Sequence, residues 1–306
     1  MRRLMTLIVM VGILGAVAPM LAQQTTAAAP MQGAGRAGAP QGPAYTAPKN
    51  DAVPPADPYV DDALKNSPRH GEWVDIKTPS GATIKSWLEY PAATGKVGVV
   101  IVIHEIYGLT DWVRGVADQV AKDGYIAIAP DLISGMGPNG GGSAELGTQG
   151  AGQVIRTLTN DERNARLNAV MAYGKTIPSS NGKTGVVGFC WGGGSSLSYA
   201  MAQPGLNAAV MYYGPAPTVP GSQTPDLSGL PNVKAPILAH YPSLDSRTLS
   251  TAQPISDEMK KLGKSFTFFV YDGAMHGFMH SRSEKDYDAT VASWPRTLEF
   301  FRANLK

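Results

Sequence analysis

Gly188-Phe189-Cys190-Trp191-Gly192-Gly193-Gly194 places the one cysteine of this chain in a glycine-rich turn. The stretch before it, Lys183-Thr184-Gly185-Val186-Val187-Gly188-Phe189, is short and apolar, as a buried strand requires. The stretch after it, Ser195 to Ala202, carries small residues and Leu at helical spacing. Glycines on both sides of Cys190 let the chain turn sharply where a Cβ would collide with neighbouring backbone. A G-x-C-x-G turn between strand and helix lifts the sulfur out of the sheet and aims the following N–H groups at an incoming carbonyl. The pattern therefore predicts a covalent nucleophile on an α/β sheet. A buried, inert packing cysteine is the competing reading, and a redox-sensing thiol is a third; the elbow context favours the nucleophile.

Outward from the elbow, strands and helices alternate. Trp73–Thr78 and Thr83–Tyr90 alternate in polarity around Pro79-Ser80-Gly81 and predict an antiparallel hairpin at a sheet edge. Gly98–His104 is apolar until its end, as in a parallel strand covered on both faces. Asp111 caps a helix to about Lys122, and Tyr125–Asp131 is the next strand. Residues 132–152 are Gly-rich without periodicity and predict a long loop lining a site. A helix follows to about Lys175, and then the cysteine strand. Further strands are predicted at 208–213, 235–241 and 265–271, with helices at 254–262 and 289–305. The architecture expected is a mostly parallel central sheet with helices on both faces.

The N-terminus reads differently. Met1-Arg2-Arg3 is basic, residues 4–21 are apolar, and Gly15, Ala16, Ala18 and Ala22 supply small residues for processing. This predicts a signal peptide over residues 1–22 and a periplasmic or secreted protein. An uncleaved anchor is the alternative, since the run approaches the length of a span; Gly12, Gly15 and Pro19 favour cleavage. No cysteine follows the run to carry a lipid. Removing Arg2 and Arg3 from the 26 Lys+Arg leaves 24, equal to the 24 Asp+Glu, so the mature chain is neutral and nucleic acid is not an expected partner. Residues 23–58 are rich in Ala, Gly, Pro and Gln and predict a disordered linker, and 59–306 is the size of one α/β domain. An exported chain with one cysteine has no internal disulfide.

A thiol needs a base to attack an ester at neutral pH. Of the five histidines, His276 stands out in Asp272-Gly273-Ala274-Met275-His276-Gly277-Phe278, a glycine-flanked loop after the last strand. In a parallel sheet the ligand crevice forms at such C-terminal strand ends. Asp245 follows the strand ending in His240-Tyr241 and is favoured to orient the imidazole, with Asp272 and Asp226 as competitors. The loop His104-Glu105-Ile106-Tyr107-Gly108 and the Trp191 N–H are the expected oxyanion donors. Glu105 at this strand end suits a carboxylate that holds a neighbouring thiol in check; a loop-capping acid is the bland alternative. No metal cluster is evident, because His104 with Glu105 is a pair rather than a site.

Ser180 to Gly193, His104 to Gly108 and Gly273 to Phe278 together resemble the dienelactone hydrolase family of the α/β-hydrolase fold. The resemblance covers most of 73–306. It implies that Cys190 is the nucleophile, Asp245 the acid and His276 the base. It also implies that the N–H groups of Ile106 and Trp191 form the oxyanion hole, and that Glu105 contacts the resting thiol until substrate displaces it. The implied activity is opening of a carboxymethylene butenolide ring. The chain itself is expected to be a monomer that hydrolyses an ester or lactone without a cofactor. The chain departs from the family in lacking its carboxylate-binding arginines. His280 stands four residues past the histidine, and Gly/Thr-rich sequence fills 147–152, with Arg156 and Arg282 nearby but displaced. Imidazole does not reproduce a guanidinium fork. A non-catalytic exported binding protein on the same fold is the alternative function.

Overall fold

The computed structural model describes residues 45–219 and 221–306. The signal peptide expected over 1–22 and the linker residues 23–44 lie outside the described residues.

The chain enters through a short helix, α1 (Val60–Lys65), and a hairpin of β1 (Gly71–Lys77) and β2 (Thr83–Glu89). It continues through β3 (Val97–Ile103), α2 (Asp111–Lys122), β4 (Ile126–Pro130), α3 (Ser143–Val154), α4 (Asn160–Thr176), β5 (Ser180–Phe189) and α5 (Trp191–Ala202). Then come β6 (Ala208–Tyr212), β7 (Ile237–Pro242), α6 (Ser246–Leu249), α7 (Ala252–Lys261), β8 (Phe266–Tyr271) and α8 (Glu284–Leu305). The sheet has eight strands in the order β1-β2-β4-β3-β5-β6-β7-β8. β1 and β2 pair antiparallel at one edge, β2 pairs antiparallel with β4, and every later pair is parallel. This is the architecture the sequence predicts, edge hairpin included.

Alternating side chains of the central strands feed two separate cores. On one face Val99, Ile101, Ile103, Val186 and Met211 pack with Leu167 and Val170 of α4, Leu197 of α5 and Ile255 of α7. On the other, Val100, Val102, Val187, Phe189 and Val210 pack with Val113 and Val116 of α2 and Trp294, Leu298 and Phe301 of α8. Burial from both sides is why β3 reads as an unbroken apolar run.

Three sequence expectations change. Residues 45–58 are not a disordered linker: Ala47, Val53 and Ala56 are buried. Trp112 Nε1 donates to the Pro55 carbonyl at 3.1 Å, and Tyr59 donates to that of Ala47 at 2.9 Å. Averaging composition over 23–58 hid this short apolar stretch. The Gly-rich segment 132–152 holds α3, interrupted at Gly147 (φ 62°). Its start is tied down where Ser143 N and Oγ each donate to the Asp131 carboxylate at 2.7 Å, and Ala151 and Ile155 pack its apolar side. Glycines at 147, 150 and 152 mask a helix that tertiary contacts, rather than propensity, sustain. Finally, α8 starts at Glu284 rather than 289, because Ser283 accepts from Asp286 N and caps it.

The elbow glycines are required by close approach. A Cβ at Gly192 would overlap the carbonyl oxygens of Ile103 and His104, and one at Gly188 would overlap that of Gly192. These neighbours are backbone and cannot swing aside. Gly192→Ala is expected to lower stability by about 3 kcal/mol in urea unfolding. Gly95→Ala, with open space around it, should stay within about 0.5 kcal/mol of wild type. Similar midpoints for the two variants would contradict this packing.

Candidate active site

Four loops meet at the C-terminal ends of β3, β5, β7 and β8. At the end of β5 the chain turns through Cys190, which has φ 55° and ψ −116°. A non-glycine residue holds such a conformation only where its surroundings enforce it, at a cost of about 1–3 kcal/mol. Here Cys190 N donates to Tyr212 O at 3.1 Å, and Gly193 N donates back to Cys190 O at 3.0 Å. The turn leaves the thiol half-buried at the start of α5. Burial pushes its pKa up to about 11 and the Glu105 carboxylate adds to the rise; the N–H groups of Trp191 and Ile106 and the Arg247 guanidinium pull the other way. The two N–H groups named from sequence as oxyanion donors thus both face the sulfur.

The loop after β3 is held by His104, which is fully buried. Its Nδ1 lies 2.7 Å from the Glu105 carbonyl and its Nε2 is 3.1 Å from Leu132 N. The carbonyl can only accept and the amide can only donate, so the ring is neutral with its proton on Nδ1. Burial lowers its pKa in agreement. The ring also stacks on Trp191, centroids 5.5 Å apart. His104 therefore joins the Ile106 loop to the start of α5.

At the ends of β7 and β8 the two neighbouring loops are tied together. Leu244 N donates to Ala274 O at 3.1 Å and Gly273 N to Ser243 Oγ at 2.9 Å. Met275 N donates to Asp286 Oδ1 at 2.9 Å, fixing the second loop on α8. Asp245 caps α6, accepting from Thr248 Oγ1 at 2.9 Å. Its Oδ2 accepts from His276 Nδ1 at 2.6 Å. Burial would raise the Asp245 pKa, but the bonds from His276 and Thr248 outweigh it and hold the carboxyl below its usual range. His276 pairs with Asp245 rather than with either competitor: Asp272 is exposed, and Asp226 accepts from Ser228 N elsewhere. No hydrogen bond joins His276 to Cys190 in this arrangement.

Glu105 is buried, and its Oε2 lies 2.9 Å from His280 Nε2. In the sequence His280 shows only as the residue standing where an arginine is expected, and its pairing with Glu105 comes from contact across 175 positions. Arg156 bonds the Gly152 carbonyl, and Arg282 Nε donates to Asp57 at 2.7 Å. Tyr213 was also missed. It sits at the end of β6 with φ 39°, its ring 5.1 Å from that of His276. Its hydroxyl is buried without a partner; burial first, then Glu105 and Cys190, push its pKa well above the usual value. Its position at a C-terminal strand end was the available signal.

The sequence profile of the dienelactone hydrolase family matches residues 84–305. A Synechocystis protein provisionally named carboxymethylenebutenolidase is 30% identical over 251 residues, spanning 76% of this chain and 99% of that one. The carboxymethylenebutenolidase of Rhodococcus opacus is 26% identical over 244 residues, spanning 78% and 94%. A crystal structure from Klebsiella pneumoniae, provisionally named a dienelactone hydrolase, has the same fold with a TM-score of 0.67 at 23% identity, covering 76% of this chain and 98% of that one.

Proposed function

The chain belongs to the dienelactone hydrolase family, and from that premise we propose that it is an exported, monomeric, cysteine-dependent hydrolase of esters or lactones. Membership makes it a hydrolase of the lactone or ester type. The finer reading is carried by one observation: the Cys190 sulfur faces the Ile106 and Trp191 N–H groups, at the same end of the sheet as the His276–Asp245 pair. Export rests on the sequence of residues 1–22. Among the described residues no helix is long and apolar enough to cross a membrane.

The reaction follows from these groups. Rotation of the Cys190 side chain carries the sulfur to His276 Nε2, which takes the thiol proton while Asp245 holds Nδ1–H. The rotation frees the two backbone N–H groups. The thiolate attacks the substrate carbonyl, and those N–H groups stabilise the oxyanion. Collapse breaks the acyl C–O bond, and His276 returns the proton to the leaving alkoxide. A water, deprotonated by His276, then attacks the acyl-cysteine and releases the acid and the thiol.

The substrate reading follows from His280. It is buried between Asp57 and Glu105, so it is not free to clamp a substrate carboxylate. Uncharged short-chain esters and lactones are therefore the proposed substrates. The test is a slow aryl ester quenched during turnover and analysed by mass spectrometry. The acyl mass is expected on the Cys190 peptide, and steady turnover with Cys190 unmodified would refute the covalent route. Paired lactones with and without a carboxylate should be hydrolysed at similar kcat/KM. A preference of about 100-fold for the carboxylated member, roughly 2.7 kcal/mol, would reassign recognition to Arg247 or Arg282.

A further inference from the structure

Asp57, from the segment preceding α1, reaches the candidate site. Its Oδ1 lies 2.5 Å from His280 Nδ1. The other nitrogen of the same ring lies 2.9 Å from Glu105 Oε2. Each ring nitrogen thus faces a carboxylate oxygen. A neutral imidazole has one N–H and would turn a lone pair toward one of the two carboxylates; only an imidazolium donates to both. Trp112 stacks on the ring at 4.1 Å between centroids, a suitable seat for a cation. Arg282 Nε closes the row at 2.7 Å from Asp57 Oδ2. Guanidinium, carboxylate, imidazolium and carboxylate alternate, and the last of them, Glu105, acts on the Cys190 thiol and the Tyr213 hydroxyl.

We propose that His280 and Asp57 are positioning residues: Asp57 holds the His280 imidazolium, which fixes the Glu105 carboxylate and neutralises it toward the Cys190 thiol. The N-terminal segment thereby sets how readily the thiol ionises. This rests on the reading of Cys190 as nucleophile. Burial would lower the His280 pKa, but Asp57 and Glu105 outweigh it and raise it to about 9. The cation is therefore present through neutral pH and lost above about pH 9. Its loss leaves Glu105 uncompensated and pushes the thiol further up.

The test reads thiol ionisation directly, as the rate of Cys190 alkylation by iodoacetamide in the full chain from about pH 6 to about pH 9.5. Cys190 is the one cysteine, so the signal is unambiguous. His280→Gln is expected to slow alkylation about ten-fold near pH 8, and the slowing is expected to vanish in a Glu105→Gln background. Asp57→Asn lowers the pH at which the ring loses its proton. It should match wild type near pH 6 and His280→Gln near pH 9. His280→Arg supplies a permanent cation and should restore the rate without a pH break. Alkylation of His280→Gln at the wild-type rate at every pH, or slowing that persists without Glu105, overturns the proposal. Should His280→Gln not fold, a profile of Asp57→Asn parallel to wild type overturns it. Failure of the nucleophile reading shows separately, as unchanged hydrolysis by Cys190→Ala.

Discussion

Replacing Cys190 by alanine is expected to reduce ester hydrolysis on the order of 10⁴- to 10⁶-fold, the scale on which removing a covalent nucleophile acts. Alanine keeps the Cβ and accepts the same backbone, so the elbow at φ 55° stays as strained as before and no more so. The N–H groups of Ile106 and Trp191 remain in place to polarise a carbonyl, which sets the residual rate. Initial rates on a short aryl ester, with thermal unfolding as a control for folding, decide the matter. Equal rates for the two proteins would move the chemistry to another group. A variant that loses activity and also unfolds early would indicate that the sulfur mattered for packing against Phe189 and its neighbours. An inert buried thiol predicts the second pattern; a nucleophile predicts loss of activity with the fold intact.

What the sequence made legible was the part set by local backbone rules. The continuous apolar runs gave the central strands because both faces are buried, and the glycine cluster gave the elbow because carbonyl oxygens crowd positions 188 and 192. Strand-end topology pointed to the His276–Asp245 pairing, and the loops that carry the two are neighbours because β7 and β8 pair in register. The illegible parts depend on contacts between residues remote in sequence. Asp57 and His280 are 223 positions apart, and nothing in a composition-poor leader announces a carboxylate that reaches the site. Another buried histidine, His240, bonds Tyr271 and Thr297, and burial holds its pKa down at about 3. It shares a type with His276, and only surroundings separate the two. Helix α3 is the same lesson in backbone form, since its glycines argue against a helix that Asp131 and a small apolar cluster then secure.

His276→Ala should produce the second large loss, together with a change in pH dependence that a structural role would not produce. The Cys190 thiol, raised to about 11 chiefly by burial, is neutral at pH 7. An acid with its pKa raised that far has an unassisted thiolate fraction of about 10⁻⁴ there, and each added pH unit brings about ten-fold more. Wild type escapes this penalty when the imidazole, held by Asp245 at 2.6 Å, takes the proton as the sulfur turns toward it. Without the imidazole the reaction draws on pre-ionised thiolate alone. The variant is therefore expected to lose about 10³- to 10⁴-fold at pH 7. Its log kcat/KM should then climb with a slope near one toward pH 10, narrowing the gap to wild type as it does so. Asp245→Asn keeps the ring but not its orientation and should fall between the two. A His276→Ala profile parallel to wild type, however low, would mean that the imidazole supports the loop rather than accepting the proton.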